Sequence, residues 1–126
     1  MLQGSEPVAF LPSTDLDRSA AYFGDVLGLE LVDRSPFACV FRVGGHTLRV
    51  TRVDDLRPQP FTVFGWLVTD LRATLLGLRS RGVPTLRYDG MGQDDDDIWT
   101  TPGGDRVAWF SDPDANVLSL TELAAR

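Results

Sequence analysis

The tripeptide Thr-Asp-Leu occurs twice, at positions 14–16 and again at 69–71, an offset of 55 residues. Each copy follows an apolar run and opens a stretch with helical spacing. Each stretch stops at a glycine, Gly28 in the first half and Gly82 in the second. A recurrence that carries through strand, helix and turn marks a duplicated unit. It restricts this chain to folds made of two similar halves, with a working surface expected between them. A length of 126 residues fits one compact domain, or two half-domains sharing a core.

Within the first half, Val8-Ala9-Phe10-Leu11 reads as a short buried strand. Thr14 or Asp15 supplies the N-cap oxygen of a helix whose apolar face is Leu16, Ala20, Phe23 and Leu27. Gly28 ends it, since glycine enters the left-handed region without steric cost. Leu29 to Asp33 is a strand, and Phe37 to Val43 with His46 to Val53 form a hairpin about Gly44-Gly45. Residues 54–60 contain Arg57-Pro58-Gln59-Pro60, a stiff polar connector. The second half repeats the order with a strand over Phe61 to Val68 and a helix from about Asp70 to Arg81. Leu71, Leu75 and Leu78 share one face of that helix. Thr85 to Tyr88 and a loop holding Asp94 to Asp97 lead to a strand near Ile98 to Thr101. A last hairpin, Asp105 to Ser111 with Asn116 to Leu123, turns through Asp112-Pro113-Asp114-Ala115. The expected fold class is α+β, built from two βαβββ modules in one domain spanning 1–126. Module 1 covers about 7–53, the linker 54–60 and module 2 about 61–123.

Alternation along the hairpins assigns faces. Val43 pairs with His46 and Phe41 with Leu48, which puts Phe37, Cys39, Phe41, Val43, Leu48 and Val50 on the helix side. Ala38, Val40 and Arg42 then lie opposite, beside Thr47, Arg49 and Thr51. In the last hairpin Ala108, Phe110, Leu118 and Leu120 face the helix, leaving Val107, Trp109, Val117, Ser119 and Thr121 opposite. Trp109 beside Ser119 and Arg49 has the make-up of a ligand pocket, an aromatic wall with a few polar groups. A plain wet sheet face accounts for the same alternation.

Composition removes several chemistries. All twelve basic residues are arginine, so lysine Schiff-base catalysis is unavailable. With His46 the one histidine, no site needing two histidines assembles within a chain. The net charge of −6 disfavours nucleic acid and anionic membrane. No apolar run approaches the roughly 20 residues that span a bilayer. The first six residues lack the pattern of a signal peptide. The single Cys39 fits a reducing cytoplasm and reads as a core residue. His46 reads as a surface or capping histidine, and Asp94 to Asp97 as a solvated acidic loop.

The chain resembles the vicinal oxygen chelate superfamily of glyoxalases, extradiol dioxygenases and bleomycin-resistance proteins. The resemblance rests on Leu11-Pro12-Ser13-Thr14-Asp15-Leu16-Asp17-Arg18-Ser19, Tyr22-Phe23 and Leu27-Gly28. It continues in Val107-Ala108-Trp109-Phe110-Ser111-Asp112-Pro113-Asp114-Ala115-Asn116, where Ala115 replaces the usual glycine. It implies curled sheets around a shared cleft with helices outside. It also assigns the metal-ligand positions of metal-dependent members to Val8, Arg49, Val63 and Ser119. None of these is a metal ligand of the usual kind.

The resemblance therefore implies the metal-free, bleomycin-resistance-like branch. The expectation is a small-molecule-binding protein without metal or cofactor that sequesters an antibiotic or metabolite. Its ligand contacts would be Phe10, Arg42, Arg49, Trp99, Trp109 and Ser119. Net charge suits a cationic ligand, whereas Arg42 and Arg49 suit an anionic one. The alternative is a metal-free lyase or isomerase in which Arg49 stabilises an oxyanion. Glyoxalase or dioxygenase chemistry that needs a metal is disfavoured. Relatives often pair modules across chains, so a homodimer is expected. Arginine-only usage points to a GC-rich bacterial genome.

Overall fold

The structure, a computed structural model, describes residues 1–125. It divides into two compact units that meet in sequence between Arg57 and Pro58. In the first, β1 (Val8–Ser13) leads into α1 (Leu16–Ala20) and a π-helical turn (Ala21–Val26). Three strands follow, β2 (Glu30–Arg34), β3 (Ala38–Val43) and β4 (His46–Arg52). The second unit runs β5 (Thr62–Leu67), α2 (Leu71–Ser80), β6 (Trp99–Thr100), β7 (Arg106–Ser111) and β8 (Val117–Glu122). The strand orders are β1-β4-β3-β2 and β5-β8-β7-β6, one topology used twice. In each sheet the first strand pairs in parallel with the last. Parallel neighbours need a crossover connection, and the helix lies within it.

Both aspartates of the repeated tripeptide open helices. Asp15 Oδ1 accepts from the Arg18 amide at 3.1 Å, and Asp70 Oδ1 from the Ala73 amide at 3.1 Å. Each satisfies a donor that the first turn leaves free. At the other end Gly28 and Gly82 sit at φ +76° and +80°, the left-handed conformation that stops a helix. The first helix departs from the continuous 3.6-residue spacing expected through Leu27. Beyond Ala20 it widens, and the Leu27 amide donates to the Tyr22 carbonyl, five residues back, at 2.9 Å. Gly24 weakens this turn, while Phe23 stays fully buried with its ring centroid 5.9 Å from that of Phe41.

Each helix covers one face of its own sheet, α1 against β3 and β4, and α2 against β7 and β8. Leu11, Leu16, Phe23, Cys39, Phe41, Leu48 and Val50 form the first core. Leu71, Leu75, Ile98, Ala108, Phe110, Leu118 and Leu120 form the second. The hairpin register is the expected one, with Val43 opposite His46 and Phe41 opposite Leu48. One residue leaves its assigned face: Phe37 is 74% exposed, because the alternation begins only at Ala38, which keeps its expected place opposite Thr51 although it is buried. Ahead of it the chain bends around Ser35, whose Oγ accepts from the amides of Phe37 and Ala38. Cys39 is a core thiol, donating to the Leu16 carbonyl at 3.6 Å, and burial pushes its pKa up. His46 is exposed at the hairpin turn.

Asp94 to Asp97 do not form a freely solvated acidic loop. Arg72, on α2, pairs with Asp94 at 2.8 Å and with Asp96. Arg79, two turns further along α2, donates to the Asp96 carbonyl at 2.8 Å. Arg87 pairs with Asp97 at 2.8 Å, and the Thr85 hydroxyl donates to Asp97 at 2.5 Å. Asp94 Oδ1 also accepts from the amides of Asp96 and Ile98. Spacing along α2 puts Arg72 and Arg79 on one side, but only tertiary folding brings this loop to them. Three of the four negative charges, those of Asp94, Asp96 and Asp97, thereby form a clamp between loop and helix, while Asp95 stays exposed.

Candidate functional site

The face of each sheet away from its helix carries the residues of interest. In the first unit Phe10 on β1 lies opposite Arg49 on β4, and Arg49 opposite Val40 on β3. Phe10 is 62% exposed and Arg49 half-buried. Among the described residues the Arg49 guanidinium has no hydrogen-bond or ion-pair partner. Arg42 differs, because Glu30 faces it across the β2–β3 pair at 3.4 Å and offsets its charge.

In the second unit Trp109 on β7, Ser119 on β8 and Gly65 on β5 lie in one row. Gly65 is glycine for a steric reason. A Cβ there would overlap the Ser119 hydroxyl and stand 2.9 Å from the Ser119 carbonyl oxygen. Trp109 is held from three directions. Its indole N–H donates to Thr62 Oγ1 at 2.8 Å, Trp99 stacks on it at 6.2 Å, and Tyr88 meets it edge-on at 5.7 Å. Such ring pairs contribute roughly 0.5–1.5 kcal/mol beyond their burial. They also remove rotamer freedom that a ligand would otherwise have to freeze.

An open cavity of about 490 Å³ adjoins this cluster. Trp109, Thr62 and Val117 line it from the sheet, Pro60 and Phe61 from the segment before β5, and residues 88–91 from the loop after α2. Trp99 and Ser119 are not among its lining residues; Trp99 braces Trp109, and Ser119 lies over Gly65. The loop is set by Gln93, which is 8% exposed. Gln93 Oε1 accepts from the Tyr88 amide at 2.7 Å, and its Nε2 donates to the carbonyls of Leu86 and Asp97 at 3.0 and 2.7 Å. The clamp of Arg72, Arg79 and Arg87 on the aspartates continues from the same loop. Hydrogen bonds from Thr85 and Arg87 hold the Asp97 carboxyl below the usual range. Partial desolvation opposes ionisation of Asp94, yet bonds from the Ile98 amide and Arg72 still hold it low.

Thr62, Tyr88, Asp89 and Gln93 escaped the reading of the sequence. Parity along β5 had no purchase on Thr62, because a bulge shifts the register between Thr62 and Phe64. Residues 86–98 lie in no strand or helix, so no periodicity positions Tyr88, Asp89 or Gln93.

The four positions that the resemblance assigns to metal ligands offer no donor set. Val8 lies opposite Thr47, Arg49 opposite Phe10, and Ser119 opposite Gly65, while Val63 sits at the bulge. Two are aliphatic, one is a permanent cation and one a neutral hydroxyl. Among the described residues, no group of three or more His, Cys, Asp or Glu is arranged to hold a metal ion. These residues do not fit the ion.

A model of the Glyoxalase/Bleomycin resistance protein/Dioxygenase superfamily matches residues 7–120. Among solved structures, the chain is similar to a member of that superfamily from Sphaerobacter thermophilus at 20% identity and TM-score 0.74, covering 98% of this chain and 100% of that one. It is similar to TioX from Micromonospora sp. ML1 at 20% identity and TM-score 0.72, covering 94% and 98%. It is also similar to lactoylglutathione lyase from Agrobacterium tumefaciens at 21% identity and TM-score 0.69, covering 97% and 96%. At these identities the likeness is one of fold. No curated protein matches the sequence.

Proposed function

The chain belongs to the glyoxalase/bleomycin resistance protein/dioxygenase superfamily, and from that premise we propose a metal-independent small-molecule-binding protein that sequesters a metabolite or antibiotic. The observation that carries this reading is Trp109, immobilised by Thr62, Trp99 and Tyr88 on the wall of an open cavity. A rigid aromatic surface flanked by a few polar groups is how small-molecule sites are commonly built. Metal independence is supported by the chemistry of Val8, Arg49, Val63 and Ser119.

Two titrations test the reading. Calorimetry with Zn²⁺, Ni²⁺ and Fe²⁺ should show no tight stoichiometric binding; tight binding by any of them would sink it. Aromatic fragments should displace the indole N–H resonance of Trp109, and a Trp109→Ala variant should lose that binding.

One observation favours a second reading, a metal-free lyase or isomerase. The half-buried guanidinium of Arg49 beside Phe10, without a partner among the described residues, is suited to an oxyanion. Turnover abolished by Arg49→Ala would establish that role. A homodimer is the proposed assembly, supported by β2, a sheet edge whose five residues are all exposed. Light scattering measures it directly. Among the described residues no helix is long and apolar enough to cross a membrane, and the single thiol, Cys39, supports a reducing, cytoplasmic location.

A further inference from the structure

We infer that the cavity beside Trp109 takes an organic ammonium cation, held between the rings of Trp109, Tyr88 and Phe61 and the carboxylate of Asp89. This rests on the reading that the cavity binds a small molecule, and adds the charge of that molecule. Three aromatic side chains, Trp109, Tyr88 and Phe61, line one space. Aromatic faces carry negative potential, and several around one space attract a cation that is only partly desolvated.

Asp89 is the one carboxylate among the lining residues, and no arginine lines the cavity among the described residues. Among those residues Asp89 also has no hydrogen-bond or ion-pair partner. Further along the same stretch Asp94, Asp96 and Asp97 are taken up by arginines, and the exposed Asp95 lies outside this cavity. Arg87, two residues before Asp89, is engaged elsewhere. Its guanidinium donates to Asp97 and to the carbonyls of Asp94 and Gln93. An anionic ligand would meet Asp89 with nothing to offset it, whereas a cation gains from both the rings and the carboxylate. The net charge of −6 further raises the local concentration of cations.

The test uses three probes of nearly one shape: choline, its uncharged isostere 3,3-dimethylbutan-1-ol, and the anion 3,3-dimethylbutanoate. Each is titrated into the full chain labelled with ¹⁵N, following the Trp109 indole N–H, assigned with Trp109→Phe. Choline is expected to bind roughly tenfold more tightly than the alcohol, and the anion most weakly. Asp89→Asn should cut the choline advantage by about threefold to fivefold and leave the alcohol unchanged. Added NaCl should weaken choline binding alone. The inference is overturned if choline leaves Trp109 unmoved, if the alcohol or the anion binds as tightly, or if Asp89→Asn changes nothing. An alcohol that binds as well as choline refutes the cation while the small-molecule reading stands. Silence of Trp109 toward these probes and toward the aromatic fragments removes both.

Discussion

The turn between β7 and β8 offers the sharpest quantitative test, through Ala115→Gly. Ala115 sits at φ +65°, in the left-handed region where a Cβ crowds the following carbonyl. Holding an alanine there costs about 1–2 kcal/mol, which glycine escapes. Glycine also has more freedom in the unfolded chain, which returns roughly 0.4–1 kcal/mol of that gain. Ala115 is exposed, so removing its methyl sacrifices little burial. The bonds that define the turn do not involve that methyl. Asp112 Oδ1 accepts from the amides of Asp114 and Asn116, both at 2.9 Å, and Asp112 Oδ2 from Asn116 Nδ2 at 2.8 Å. The Ala115 amide reaches the Asp112 carbonyl at 3.0 Å, a bond glycine retains. The expected outcome is therefore a stabilisation of about 0.5–1 kcal/mol. Urea denaturation followed by tryptophan fluorescence should give a higher midpoint at unchanged slope. The melting temperature should rise by roughly 2–5 °C for a chain of this size. Ala115→Val, which adds β-branching to the same conformation, should lower the midpoint. A glycine variant equal to or less stable than the parent would refute the assignment of strain to this turn.

Three further outcomes follow from the same geometry. Gly65→Ala should destabilise by about 1–3 kcal/mol, as overpacking does, and Ser119→Ala should recover part of it in a double-mutant cycle by denaturation. Thr62→Val removes the acceptor of the Trp109 indole and should cost about 1 kcal/mol. It should also broaden the Trp109 indole resonance and weaken ligand binding severalfold, and a sharp, unshifted resonance would argue against the pinning role. Asp94 and Asp97 have folded pKa values below the ordinary carboxylate value, so the unfolded chain binds more protons as pH falls. Their stabilising contribution is present above about pH 4, near the unfolded value, and is lost as pH drops through the lower folded values. Arg72→Ala should flatten that acid dependence in urea melts collected across pH 2–5.

Local chemistry in the sequence determined the architecture. Asp15 and Asp70 cap helices because a short side-chain oxygen bonds an amide three residues on, whatever surrounds it. Gly44-Gly45 sets the pairing of Val43 with His46 by the geometry of a two-residue turn, and β-strand parity carries that register along both strands. The apolar face of α2 holds equally, with Leu71 and Leu75 buried. The same local logic failed wherever the chain leaves a regular period. The π turn after Ala20, the bend at Ser35 that releases Phe37, and the bulge at Val63 each shift which way side chains point.

The site depends on contacts between residues far apart in the sequence. Trp109 and Ser119 were legible as neighbours because one hairpin aligns them. Phe10 opposite Arg49 needed the parallel pairing of β1 with β4, whose register no turn dictates. Thr62, Tyr88 and Asp89 reach the cavity through a bulged strand and a loop whose course is set by Gln93 and by three arginines gripping the aspartates. The repeated Thr-Asp-Leu thus determined two modules of one topology, because capping and periodicity act over a few residues. Only the tertiary structure decided which side chains surround the cavity and which carboxylate lines it, because bulges, loops and ion pairs are settled by long-range packing.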